Sequence, residues 1–146
     1  MFDRLDNISI QLRSRGINTP EECRGLLQEV NGILGFLNPI LGIAETETRN
    51  RELRKYSSIK SDFEADPPLD KRGDPKNFTS APAEKEAQAF VSPYRRIRNT
   101  MSSYTELSKT LSNSAQSLLK SLDEERAMMK WRKQLLEHMT LEKISL

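Results

Sequence analysis

One stretch, from Ser92 to about Lys133, limits what this chain can fold into more than any other. It opens with Ser92-Pro93, where a hydroxyl can cap free backbone N–H groups and a proline suits the first helical position. A heptad seam follows, with steps of four and three residues and no Gly or Pro. A helix of this length, roughly 60 Å at the standard rise, cannot bury the seam against itself, so the pattern requires a partner helix. The seam positions are Ile97, Met101, Tyr104, Ser108, Leu111, Ala115, Leu118, Leu122, Glu125 and Met129.

The composition favours narrow helical seams over a layered α/β domain. Of the 146 residues, 36% are hydrophobic, 6% are aromatic and 30% are charged. That hydrophobic share is small for one compact core, whereas about two apolar residues in seven suffice along a helical seam. We therefore predict an all-α protein whose long helices form an antiparallel hairpin or coiled-coil arrangement and assemble into an oligomer. Ser108 and Ala115 are small seam residues that permit close approach of the partner helix.

Capping and breaking residues divide the chain into segments. Thr19-Pro20-Glu21-Glu22 is a strong helix start, and Asn38-Pro39 should kink that helix because proline removes one ladder hydrogen bond. The segment 66–80 contains three prolines, a glycine and few apolar side chains, which indicates a connector between helices. The predicted segments, all within one structural unit, are a short N-terminal amphipathic helix (1–16), a kinked long helix (19–65), a mobile linker (66–80), and a short helix followed by the heptad helix and an amphipathic C-terminal segment (81–146).

Residue types that support catalysis are scarce. His138 is the only histidine and Cys23 the only cysteine, and neither has metal-ligand spacing around it. The sequence also lacks a Gly-rich phosphate loop, a nucleophile elbow and a paired-carboxylate motif. We predict that the protein is not an enzyme and has no catalytic residue, metal or cofactor. A single cysteine favours a reducing interior, and we expect a cytoplasmic location.

The sequence predicts no membrane partner. The longest mostly apolar patch, from Ile33 to Ala44, contains Asn38 and Pro39 and is shorter than a bilayer span. The C-terminal tail is amphipathic, but Glu137 and Glu142 reduce the positive charge that interfacial helices use.

Three clusters combine cations with an aromatic side chain in a chain that has few aromatics. Guanidinium groups bind phosphate bidentately and stack on bases, and an aromatic ring offers a stacking face. We predict that these clusters bind single-stranded nucleic acid without reading its sequence. The structural alternative is that the aliphatic parts of these side chains only cover apolar surface. The first cluster is Arg49, Arg51, Arg54, Lys55 and Tyr56, the second is Tyr94, Arg95, Arg96 and Arg98, and the third is Lys130, Trp131, Arg132 and Lys133.

Apolar side chains of the heptad helix and the tail are the predicted oligomerisation surface, because a long rod needs neighbours to bury them. These residues are Ile97, Met101, Tyr104, Leu111, Leu118, Leu122, Leu135, Leu136 and Met139.

Four runs of residues in the two long helical regions carry a resemblance to a known family. Two runs are similar to that family's first helix: Ile43-Ala44-Glu45 leading to Leu53-Arg54-Lys55-Tyr56, and the tetrapeptide Ser57-Ser58-Ile59-Lys60. Two further runs resemble its second helical region and its C-terminal helix: Ala83-Glu84-Lys85-Glu86, and Leu118-Leu119-Lys120 through Arg126-Ala127-Met128-Met129-Lys130. With these runs, the layout resembles the UvsY-type recombination mediators of tailed phages.

The resemblance implies an all-helical, ring-forming homo-oligomer that binds single-stranded DNA, contacts a single-strand-binding protein and helps to load a RecA-like recombinase during DNA repair. In that family, basic residues near the end of the first long helix contact DNA. The matching positions here are Arg54 and Lys55, with Arg51 close by. A phage-encoded protein of this kind would act in the cytoplasm of the bacterial host.

Two other functions stay open on the sequence alone. A structural or scaffolding protein, such as a virion component, would use its helices only to build an assembly and would need no nucleic-acid contact. The second open function is that of an inhibitor or adaptor for one particular protein. Cations collected on one surface favour nucleic acid, whereas cations paired with carboxylates across subunits favour a scaffold.

Overall fold

A computed structural model describes residues 1–14 and 16–144, without the side chains of Lys143 and Ile144. Its helices are α1 (Phe2–Arg13), α2 (Pro20–Ala65), α3 (Ser80–Phe90) and α4 (Ser92–Ile144), and this part of the chain has no strand. The predicted all-helical fold with long packed helices is confirmed, since α2 has 46 residues and α4 has 53. The oligomer and the coiled-coil arrangement stay predictions. Arg15, Ser145 and Leu146, which belong to predicted segments, lie outside the described residues.

The start of α2 follows from its capping residues. The Thr19 hydroxyl accepts a hydrogen bond from the backbone N–H of Glu22 at 3.2 Å, and the Glu22 carboxylate accepts one from the N–H of Asn18 at 3.2 Å. Both bonds satisfy N–H groups that a helix start leaves without partners. The helix continues through Pro39, and the kink expected there stays a prediction.

The chain forms two compact units. The first, here called the terminal unit, comprises Met1–Gly35 and Glu106–Leu146, and the second, the central unit, comprises Phe36–Thr105. Each of the two long helices therefore contributes one part to each unit.

Small side chains fill the core of the terminal unit where α2 packs against α4. Ser108, Leu111, Ser112 and Ala115 of α4 are buried, as is Cys23 of α2. The Cys23 thiol donates to the Ala115 carbonyl at 3.2 Å, and the Ser112 hydroxyl bonds the Asn31 side chain at 2.8 Å. The apolar core residues of this unit are Leu5, Ile8, Ile17, Cys23, Leu26, Val30, Leu111 and Ala115.

Ion pairs in the terminal unit show the relative direction of α2 and α4. Arg24 contacts Asp123 at 3.0 Å and Glu21 contacts Arg126 at 2.6 Å, near the start of α2. Since Asn31, farther along α2, contacts the earlier Ser112 of α4, the two helices are antiparallel here. The hydrogen bond from the Arg126 guanidinium lowers the pKa of Glu21.

Small side chains bury one face of α3 within the central unit. Ala83, Ala87 and Val91 are buried along α3 and its end. The buried Thr48 and Thr105 hydroxyls donate to carbonyls four residues earlier in their own helices, at 2.7 and 2.8 Å. These bonds satisfy polar groups that would otherwise be costly to bury.

The segment between α2 and α3 contains a turn built on Asp70. Its carboxylate accepts hydrogen bonds from the backbone N–H groups of Arg72 at 2.7 Å and Asp74 at 3.0 Å. Gly73 has a φ of +88°, a conformation that favours glycine. Farther along, the Phe78 ring lies edge-on to Tyr56 at 6.2 Å and to Phe63 at 5.4 Å. The predicted mobility of this segment stays a prediction.

One window of α2 is apolar enough to be compared with a membrane span. Its 18 residues have a mean hydropathy of 1.3 and are 11% buried, so this helix could cross a membrane by length and composition alone. A core helix of a soluble protein passes the same test. The absence of a membrane partner therefore stays a prediction.

Enlarging a core alanine should distinguish the packed part of α4 from its exposed end. Ala115→Leu places a longer side chain where the helices meet, because Ala115 is 0% exposed. We expect a loss of about 1–3 kcal/mol in the free energy of unfolding, measured by urea denaturation. The matched control, Ala127→Leu on the exposed end of α4, should change it by less than about 0.5 kcal/mol. Equal effects would contradict this packing.

Candidate nucleic-acid interface

The structure joins the first two basic clusters within the central unit. The Arg51 guanidinium of α2 donates to the Tyr94 hydroxyl of α4 at 3.0 Å, and its central carbon lies 4.4 Å from the centre of the tyrosine ring. This is a cation–π arrangement. Residues separated by 43 positions therefore form one cation–aromatic contact.

Helical spacing places two further cations on the same helix faces as Arg51 and Tyr94. Arg54 follows Arg51 by three residues and Arg98 follows Tyr94 by four, and such pairs share a helix face. Arg54 is exposed and makes no ion pair with the described side chains, and Arg98 bonds only the amide oxygen of Asn99, at 2.9 Å. We call Arg51, Arg54, Tyr94 and Arg98 the Arg51–Tyr94 surface.

Carboxylates neutralise three of the predicted binding cations of the central unit. Arg95 contacts both oxygens of Glu52 at 2.8 Å, in a half-buried pair. The Lys55 ammonium lies 3.2 Å from the Glu86 carboxylate, and the Arg51 guanidinium lies 3.3 Å from that of Glu47. All three pairs lie within one chain, so they reduce the positive potential of the central unit.

Arg96 lies apart from the rest of its cluster. Two residues along a helix correspond to a rotation of about 200°, so Arg96 points away from Tyr94 around α4. It is exposed, and no carboxylate among the described residues pairs with it.

A shallow cavity lies next to the first cluster. Leu53, Tyr56 and Ala87 form its apolar wall, and Arg49, Glu52 and Glu84 supply its charged lining. Its volume is about 270 Å³, slightly below the range typical of small-molecule pockets. A single planar group or side chain is the size of occupant that it suits.

The third cluster lies on the exposed end of α4, in the terminal unit. Lys130, Trp131, Arg132 and Lys133 are all exposed. Trp131 and Lys133 are about 200° apart around the helix, so they lie on opposite sides. This cluster therefore does not place all its cations around its aromatic ring.

The predicted oligomerisation residues differ in their exposure. Leu111 is only 5% exposed, so its own chain already covers it. Met101, Tyr104, Leu118 and Leu122 are half-buried. Ile97, Leu135, Leu136 and Met139 are exposed and are free to contact another molecule.

The two residues considered for catalysis are far from a catalytic arrangement. Burial raises the pKa of the Cys23 thiol, which favours its unreactive protonated form. His138 lies on the exposed end of α4. Within the described residues, no three His, Cys, Asp or Glu side chains are grouped to hold a metal ion. That the protein is not an enzyme stays a prediction.

Sequence reasoning missed the carboxylates of this interface. Glu47 and Arg51 are four residues apart, so helical spacing could have revealed that pair. Glu52 and Glu86 pair with residues on other helices, and nothing in local spacing points to those contacts.

Comparison with protein-family models, with curated proteins and with solved structures finds no match to this chain. The resemblance to UvsY-type mediators therefore stays a prediction.

A double-mutant cycle should measure the Arg95–Glu52 pair. We expect Arg95→Ala and Glu52→Ala to couple by about 1 kcal/mol in urea unfolding, because the pair is half-buried and uses both carboxylate oxygens. The control pair, Lys60 and Glu64, is more exposed and 3.8 Å apart, so its coupling should be about 0.3 kcal/mol or less. A coupling of zero for Arg95 and Glu52 would contradict the ion pair.

Proposed function

We propose that this protein is a non-enzymatic, oligomeric adaptor that binds single-stranded DNA on the Arg51–Tyr94 surface. The observation that supports the proposal is the contact of Arg51 with the Tyr94 ring, flanked by Arg54 and Arg98. Guanidinium groups next to an aromatic ring suit a flexible strand, because cations follow its phosphates while rings stack on its bases. Such contacts are independent of base sequence.

The cations available for phosphate set the expected strength of binding. Arg54 and Arg98 are not neutralised by a carboxylate among the described residues, whereas Arg51, Lys55 and Arg95 are. One chain would therefore bind a strand weakly. Copies held together would align several weak sites on one strand and raise the effective affinity.

The resemblance to UvsY-type mediators supplies the biological setting of the proposal. An adaptor of that type would hold single-stranded DNA for a RecA-like recombinase and contact a single-strand-binding protein in the bacterial cytoplasm. The positions that carry this part are Arg54 and Lys55, near the end of the first long helix.

A scaffolding protein without a nucleic-acid contact is the second candidate. The pairing of Arg95 with Glu52 and of Lys55 with Glu86 favours it, since these cations stabilise the fold instead of remaining available. A scaffold predicts assembly without DNA binding at any salt concentration.

A salt titration of oligonucleotide binding tests the proposal. Fluorescence anisotropy with a labelled single strand should give an association constant that falls as salt rises. Arg54→Ala with Arg98→Ala should weaken binding and reduce the slope of log K against log salt by about 1.4, because each phosphate contact on a single strand contributes about 0.7.

The control removes the same charge from the same unit. Lys71→Ala with Arg72→Ala alters two exposed cations of the segment between α2 and α3, and we expect the slope to stay unchanged. No binding of the unmodified protein at low salt would refute the proposal. An equal loss of slope in the control would show that binding depends on net charge and not on this surface.

A further inference from the structure

Helix α4 extends beyond its last contacts with the other described helices. Its last ion pairs with another helix are Arg24–Asp123 and Glu21–Arg126, at the very start of α2. From Ala127 to Thr140, the hydrogen bonds and ion pairs of the described side chains join residues of α4 to one another. Every residue from Glu124 to Glu142 is exposed. The helix thus continues for roughly 27 Å past its last ion pair with another helix.

This extension carries an apolar stripe along one side. At 100° per residue the six apolar side chains cover an arc of about 160°, which also contains Arg132 and Glu142, whereas Lys130, Lys133 and Glu137 lie on the opposite side. Exposure reaches 70% at Met129 and 61% at Trp131. The six residues of the stripe are Met128, Met129, Trp131, Leu135, Leu136 and Met139.

The size of the stripe matches one half of a protein interface. The exposed area of its six side chains is on the order of 700 Å², close to what each partner contributes to a standard-size interface. Exposed apolar surface of this size marks an interaction site, and the aliphatic stem of Arg132 within it can pack as well. A helical end of about 18 residues also gains little stability in water without packing.

The charges of this extension argue for a second copy as the occupant. Between Ala127 and Glu142 there are three cations, Lys130, Arg132 and Lys133, and two carboxylates, Glu137 and Glu142. An interfacial helix binds anionic lipid through an excess of cations on its polar face, and Glu137 lies within that face. A nearly balanced helix, in contrast, can lie beside its own copy without strong repulsion.

We propose that residues 127–142 form a self-association site in which the apolar stripe packs against the same stripe of a second copy. Most of the heptad seam predicted to join copies lies inside the chain's own units, so the contact between copies is displaced towards the C-terminal end. Trp131 belongs to this contact and not to a nucleic-acid surface. This site rests on the oligomeric part of the proposed function, and its test contains no DNA, so its failure is distinguishable from a failure of DNA binding.

The test compares two neighbouring substitutions in the full chain. Leu135→Asp places a carboxylate in the stripe, whereas Gln134→Asp places the same carboxylate about 100° away, outside the stripe. Sedimentation equilibrium of the unmodified protein should give a dimer or larger species. Leu135→Asp should raise the dissociation constant on the order of 100-fold, and Gln134→Asp should leave it within about threefold of the unmodified value.

Trp131 provides a second measurement, because it is the only tryptophan in the chain. Its emission should shift to shorter wavelength as protein concentration rises in the unmodified protein and in Gln134→Asp. It should stay at the wavelength of an exposed ring in Leu135→Asp. Circular dichroism should show that this variant retains its folded core, since Leu135 lies outside the packed part of the terminal unit.

Three results would overturn the proposal. The first is a monomer at the highest concentration reached, and the second is equal weakening by the two substitutions. The third is a monomer that sediments with vesicles of phosphatidylcholine and phosphatidylserine and shows its emission shift only there. That last result would assign the stripe to a lipid surface.

Discussion

The close packing of α2 against α4 in the terminal unit is the interaction on which the rest of this structure depends. Ser108, Ser112 and Ala115 present little bulk to the facing helix, and Cys23 fits against them. Hydroxyl-bearing residues are poor helix formers by themselves, so α4 gains its stability from this contact more than from its local sequence. Dispersion contacts at short range and a few satisfied polar groups replace the large apolar core that the composition does not provide.

The same dependence on packing explains how function is distributed over the chain. Cations of the central unit have two roles, because ion pairs with Glu52 and Glu86 hold α4 and α3 against α2. Arg54 and Arg98, which have no such pair among the described residues, remain available to a polyanion next to the Arg51–Tyr94 contact. In the terminal unit, α4 continues past the start of α2, which leaves apolar side chains such as Trp131 and Leu136 exposed. The proposed phosphate-binding surface and the proposed self-association site therefore lie in different units.

The heptad periodicity predicted the fold better than the cation–aromatic clusters predicted the site. The seam identified Ser108, Leu111 and Ala115 as facing a partner helix, and all three are buried. It could not show that the partner is the chain's own α2, because a heptad pattern is the same for either source. The Arg95–Glu52 pair could not be predicted from local spacing, because the two residues are 43 positions apart in the sequence. Helical geometry already separates Trp131 from Lys133, so the division of the third cluster was available from the sequence.

Amide hydrogen exchange along α4 in dilute solution tests most directly whether packing against α2 stabilises this helix. The account predicts slow exchange from Ser108 to Ala115, where the helix is buried, and fast exchange from Ala127 onward, where every described residue to Glu142 is exposed. Uniformly slow exchange along the whole helix would contradict it. Exchange between Ser108 and Ala115 as fast as at the exposed end would contradict it equally.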